Sequence, residues 1–167
     1  MEARLGAAVL SIQAIKGVEI GHAFEVARRP GTSAHDEVRL DGDQLVRNSL
    51  FAGGLEGGIT TGQPLLIRAA MKPIATTLTP QQTVDLASGQ EVPTRYERSD
   101  FCPVPRAVVV VEAMVAFVLA DALLEKLGGD SMDEIRPRFR DLRKARLSDL
   151  KMDGGEHIFW PEDPDES

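Results

Sequence analysis

Three short stretches hold residue types that can do chemistry. The first is Ala52-Gly53-Gly54-Leu55-Glu56-Gly57-Gly58-Ile59-Thr60-Thr61-Gly62, with five glycines in ten residues. Each glycine loses backbone entropy on folding, so such a cluster is retained for positive φ or for close approach to the backbone. Free N–H groups in such a loop can cradle an anion; a pair of tight turns at a sheet edge reads the same way. The spacing is neither the dinucleotide fingerprint nor a Walker loop. The second stretch, Met71-Lys72-Pro73-Ile74-Ala75-Thr76-Thr77, follows an apolar run. A lysine at a strand end beside two hydroxyls suits a phosphate, and equally suits an exposed turn. The third, Arg98-Ser99-Asp100-Phe101-Cys102, precedes Pro103-Val104-Pro105-Arg106. Arg98 and Asp100 can both face a cavity over a helix N-terminus, or Asp100 can simply cap that helix or pair with Arg98.

These stretches need elements to hold them. Residues 4–13 are expected to form a short helix ending before Gly17, and Lys16 to Phe24 a strand by their alternation. Residues 27–49 show no period and read as a long loop. Pro64 to Met71 reads as a strand, and residues 80–94 as a hairpin turning at Ser88-Gly89. A long helix is expected from about Pro105 to Lys126, stopped by Gly128-Gly129, and Ser131 with Glu134 forms a capping box for another. Strands mixed with a few helices, without βαβ alternation, give an α+β class. Residues 1–152 are expected to form one domain, and 153–167, with four acidic residues after Trp160, an exposed tail.

Composition sets the outer limits. The chain has 167 residues, 43% hydrophobic and 27% charged, enough for one soluble domain with a core. A net charge of −7 argues against general affinity for nucleic acid or anionic membrane. Arg68, Lys72, Arg95, Arg98 and Arg106 could still gather into a local cationic pocket. The single cysteine, Cys102, excludes a disulfide framework and fits a reducing cytosol, and a buried packing role is expected of it. Met1-Glu2 does not open a signal peptide. Ala107 to Leu124 is nearly continuous in apolar residues and approaches the length of a membrane span. Glu112 and Asp121 interrupt it, and an acid at membrane depth costs several kcal/mol, so a helix buried between two layers is expected.

The order and gaps of these motifs resemble chorismate synthase. Gly-Gly-x-x-Gly-Gly-x-Thr-x-Gly, then Lys-Pro, then Arg-Ser-Asp running into Val109-Val110-Val111-Glu112-Ala113-Met114 are similar to that family in register, as is Gln13-Ala14-Ile15-Lys16-Gly17-Val18-Glu19-Ile20-Gly21. The resemblance runs from about Leu10 to Gly129. It implies half of a β-α-β sandwich, with central helices between antiparallel sheets. It implies a cytoplasmic lyase that forms chorismate from 5-enolpyruvylshikimate 3-phosphate by 1,4-elimination of phosphate, with reduced FMN as cofactor and a homotetramer as its assembly. Position by position, Gln13, Ala14, Gly57, Lys72, Pro73, Ile74, Ala75, Thr76 and Arg98 resemble flavin contacts, with Lys72 at the flavin phosphate. Asp100 resembles the family's aspartate beside flavin N5, a proton handler. No metal is implied.

Two departures stand out. Leu50-Phe51 occupy a place where family members commonly carry a polar Asn ahead of Ala-Gly-Gly. The family's amino-terminal half, with its Gly-Arg-Ser-His-Gly motif, catalytic histidines and most substrate-binding arginines, has no counterpart in these residues. His22, His35 and His157 do not replace those histidines, and His35 in its Gly-x-x-x-His-Asp-Glu loop reads as solvated. The chain alone is therefore expected to be inactive. A different class of reading is a catalytically silent flavin- or phosphate-binding piece, and another is an oligomerisation module built on the long helix.

Overall fold

The computed structural model describes residues 1–75, 77–97, 102–142, 146–150 and 153–155. Helix α1 (Glu2–Leu10) turns through Ser11 to Ala14 into strand β1 (Ile15–Ile20), which returns along the helix. The helix ends earlier than the expected 4–13, and Gly17 lies inside β1 at a bulge rather than marking the helix end. Strand β1 pairs antiparallel with β6 (Ile67–Met71), from Ile15 opposite Met71 to Ile20 opposite Ile67. It stops at Gly21, short of the expected Phe24, and Ala23–Val26 form a single helical turn, α2.

The expected loop over 27–49 is structured instead. After a 3-10 turn at Gly31–Ser33, strands β2 (Val38–Asp41) and β3 (Gln44–Arg47) form a hairpin. Asp41-Gly42-Asp43 supplies its turn, with Gly42 at φ 61°, a Gly-at-positive-φ signal that the polar run masked. The glycine cluster forms the two-residue ribbon β4 (Leu55–Glu56) and β5 (Ile59–Thr60), turning at Gly57-Gly58. Strands β7 (Gln82–Asp85) and β8 (Gln90–Pro93) form the expected hairpin around Ser88-Gly89. The class is mixed helix and strand, with small antiparallel sheets of two strands each among the described residues.

Helix α3 (Val104–Leu127) and helix α4 (Met132–Arg140) lie where the sequence puts them. Gly128 at φ 59° ends α3, and Ser131 Oγ accepts from Glu134 N at the start of α4. The core is small. Leu5 of α1, Leu55 of β4 and Val118 of α3 meet at its centre, flanked by Ile20, Leu65, Ile67 and Val115. Arg4 fastens α1 to α3 from outside through Asp121 and Glu125, the latter at 2.7 Å.

The burial expected of α3 is not what the structure has. Val109 is 66% exposed and Phe117 71%, and Ala113, Ala116 and Ala120 are exposed too. The reason is geometric: α1 covers the stripe carrying Val115 and Val118, while the stripe at 109, 113, 116, 117 and 120 points the other way and stays exposed among the described residues, with α4 reaching only the far end of the helix at Leu124. By length and composition the helix could cross a membrane, with a mean hydropathy of 2.4. Cys102 is exposed rather than buried, just ahead of Pro103 at the uncovered start of α3.

Candidate functional site

The unit of α1 and β1 has two ends, and the residues singled out by sequence divide between them. At one end, the turn after α1 carries Gln13 and Ala14. Lys72 N donates to Ala14 O at 2.7 Å, so the exit of β6 is tied to that turn. Ala14 has φ 66°, the only non-glycine in the left-handed region among the described residues. Holding an alanine there costs about 1–2 kcal/mol, and such strain tends to sit where backbone must be presented rather than packed. Gln13, Lys72, Pro73 and Ala75 are exposed, with Ala14 and Ile74 half-buried. The Lys72 ammonium has no carboxylate partner among the described residues. An exposed strained turn beside an uncompensated cation suits a flat ligand with an anionic group.

Arg68 does not join that cation. It reaches Glu19 Oε2 at 2.8 Å across the β1–β6 pair, and Glu19, itself buried, also accepts from Phe24 N at 2.9 Å. Next to the open end, a cavity of about 320 Å³ separates the strands from α3, lined by Ile15, Ala69 and Met71 below and Val108, Val111 and Glu112 above.

At the other end stands Gly57, exposed, with φ 58°. The amino terminus of α1 donates to Gly58 O at 3.0 Å, which places this turn beside Met1. Helix α1, of nine residues, is about 14 Å long and β1, of six, about 20 Å, at rises of about 1.5 and 3.3 Å per residue. Gly57 is therefore roughly that far from Gln13 and Ala14. A single contact point cannot include both; an elongated ligand laid along the unit, or a second molecule, could. Thr76, Arg98 and Asp100, like His157, lie outside the described residues.

Between the ends is a crossing that sequence reasoning missed. Gly21 N donates to Leu66 O at 2.8 Å, His22 N to Phe51 O at 2.9 Å, and Leu66 N to Gly53 O at 3.1 Å. A Cβ on Gly21 would stand 2.0 Å from Phe51 O, and one on Gly53 2.3 Å from Gly21 N. These glycines are required by backbone meeting backbone. Asp36, 7% exposed, anchors the turn entering the crossing: it accepts from Phe51 N and Ala52 N, both at 2.8 Å, and from Ser49 Oγ. Burial pushes its carboxyl up, but the bonds from Ser49, Ala52 and Phe51 outweigh that and hold it below the ordinary aspartate value. Phe51, at the family departure, packs edge-on against His22 with the Arg29 guanidinium 4.3 Å above its ring. His35 is exposed, as expected of a loop histidine, at the rim of a cavity of about 300 Å³ that Asp36 and Phe51 also line. No signal of spacing marks Asp36; its partners are 13 to 16 residues away.

The geometry can be set beside known proteins. The model of the chorismate synthase family matches residues 1–124. The chorismate synthase of Trichlorobacter lovleyi is 57% identical over 158 residues, covering 90% of this chain and 40% of the relative. That of Mycolicibacterium smegmatis is 59% identical over 145 residues, covering 87% and 36%. A crystal structure of chorismate synthase superposes with a TM-score of 0.65 at 48% identity, over 84% of this chain and 34% of that one. The chain thus spans less than half the length of the relatives it matches. With its glycine crossing, Lys-Pro strand exit and all but the last turn of α3 inside the matched residues, the chain belongs to the chorismate synthase family.

Proposed function

We propose that this chain is the carboxyl-terminal part of a lyase that forms chorismate from 5-enolpyruvylshikimate 3-phosphate by 1,4-elimination of phosphate. The observation that carries the reading is the family match combined with the bare stripe of α3. The relatives are more than twice as long as the matched segment, and a 24-residue apolar helix with one face open is what a severed sandwich leaves. The remaining length, expected to be the amino-terminal half, covers that face. In this reading α3 is a core helix of a cytoplasmic enzyme rather than a membrane span, and the finished protein is a homotetramer. Residues 1–152 belong to the catalytic domain and 153–167 form an acidic appendage.

The residues at the open end fit reduced FMN. Lys72 takes the flavin phosphate, its charge unspent on any carboxylate among the described residues. Gln13, Ala14, Pro73, Ile74, Ala75, Thr76 and Arg98 contact the rest of the flavin, and Gly57 reaches it from the far end of the unit. When bound, reduced flavin lends electron density to the elimination and recovers it. Asp100 holds and returns a proton beside the flavin. The chain supplies this flavin edge and proton handler but not the arginines that would fix the substrate's anionic groups, so it does not turn over alone. A protein of net charge −7 gives a phosphorylated dicarboxylate little to bind without them.

The test is a fluorescence titration of FMN with the chain joined to the amino-terminal segment of the Trichlorobacter relative. Saturable binding strengthened by the phosphorylated substrate supports the reading. A folded chimera that ignores FMN removes it and leaves the silent-fragment reading.

A further inference from the structure

The flavin reading assigns contacts at Gly57 and at Lys72, but nothing in it says what keeps the Gly57 turn where it stands. From Ala52 to Gly57 the chain crosses Gly21 and threads Leu55, 2% exposed, into the core. The two amides entering that crossing, Phe51 N and Ala52 N, find their acceptors in one side chain rather than in a ladder. Three donors converge on the Asp36 carboxylate and, among the described residues, no cation pairs with it; Arg47, whose charge is felt there, is itself paired with Glu56 of β4. The arrangement accepts three hydrogen bonds at a site only a carboxylate can satisfy on both oxygens. An amide of the same size would turn an NH₂ toward at least one N–H.

We propose that Asp36 is the positioning residue of the glycine ribbon: its carboxylate fixes Phe51 and Ala52, and through the crossing of Gly53 over Gly21 and the packing of Gly54 on the Gln63–Pro64 backbone it sets the place of the Gly57 turn. The inference rests on the assignment of Gly57 to the flavin. Asp36 touches no reacting atom; it acts through the backbone it holds, as supporting hydrogen bonds do around a preorganised site.

The experiment uses the same chimera and titrates FMN into the wild type, Asp36→Asn and Ser49→Ala, well below each thermal transition, with the folded fraction measured by circular dichroism. Asp36→Asn is expected to weaken FMN binding by the folded protein about tenfold or more, and Ser49→Ala about threefold. A purely structural role would lower the transition temperature and leave the affinity of the folded fraction alone. Affinities within twofold of wild type for both variants overturn the proposal; where Asp36→Asn does not fold, Ser49→Ala decides by the same criterion. A wild-type chimera that does not bind FMN removes the flavin reading and this inference with it. One that binds, while both variants bind as tightly, overturns the inference alone.

Discussion

The glycine crossing and α3 are built to opposite standards of completeness. At the crossing, backbone touches backbone, no Cβ fits on Gly21 or Gly53, and Asp36 answers the amides that the ladder leaves over. Helix α3 has regular geometry over 24 residues and a well-formed glycine stop, yet Val109 and Phe117 stand in solvent. The first region is finished within this chain. The second has its secondary structure here, and its outer stripe is exposed among the described residues. An apolar run with a glycine stop marks where a helix lies, whereas its burial depends on what packs against it, which under the proposed reading is the remaining length of the enzyme.

The sharpest way to break the contrast is at Gly21. Gly21→Ala puts a Cβ 2.0 Å from Phe51 O at φ 64°, and should destabilise by about 4 kcal/mol or more, or prevent folding. Gly57→Ala, in open space at φ 58°, should lose only about 1–2 kcal/mol. Urea denaturation of both compares a glycine required by contact with one required by φ alone. Equal losses would mean the crossing is looser than the structure has it.

Next come two core-type truncations. Leu5→Ala, at a fully buried site, should cost about 2–5 kcal/mol in the chain by itself. Phe117→Ala should cost under about 1 kcal/mol there, since most of the ring is already wet. In the chimera the Phe117 loss should rise to about 3–5 kcal/mol, because the ring becomes core. An unchanged Phe117 value would say that the added half does not cover α3.

Lys72→Ala in the chimera should weaken FMN binding by about 1.5–3 kcal/mol, the loss of a charge-assisted bond. Asp100→Asn should slow turnover with much less effect on FMN affinity, and the reverse pattern would exchange their roles. A smaller effect is expected from acid. The Asp36 carboxyl is held below the ordinary aspartate range, so its contribution is complete above about pH 4 and is lost as pH falls through the lowered value. Asp36→Asn should flatten that part of the stability–pH curve. Ser131→Ala, which removes the cap of α4, should cost about 1 kcal/mol, read as a shift in urea midpoint.

These cases also mark what was legible in the sequence. Hairpin β7–β8, helix α3 and the α4 cap were readable because their signals are local: alternation around Ser88-Gly89, an apolar run ended by Gly128, and a hydroxyl three residues before Glu134. The β2–β3 hairpin was hidden because its charged residues obscured a four-residue alternation around Asp41-Gly42. The crossing was invisible for another reason. Gly21 and Gly53 are 32 residues apart, and Asp36 reaches 13 to 16 residues to its partners, so only the fold brings them together. Burial of α3 was misjudged because composition reports how apolar a face is and not what covers it. Of the site, the Gln13–Ala14 turn and Lys72 do come together, while Gly57 stands at the opposite end of α1.

The measurement that bears most directly on the central claim mixes this chain with a separately expressed amino-terminal segment of the Trichlorobacter relative. With reduced FMN and 5-enolpyruvylshikimate 3-phosphate under anaerobic conditions, chorismate should form in the mixture and not with either piece alone. Chorismate from the 167-residue chain by itself, or none from a mixture whose two pieces form a stable complex, would contradict the account.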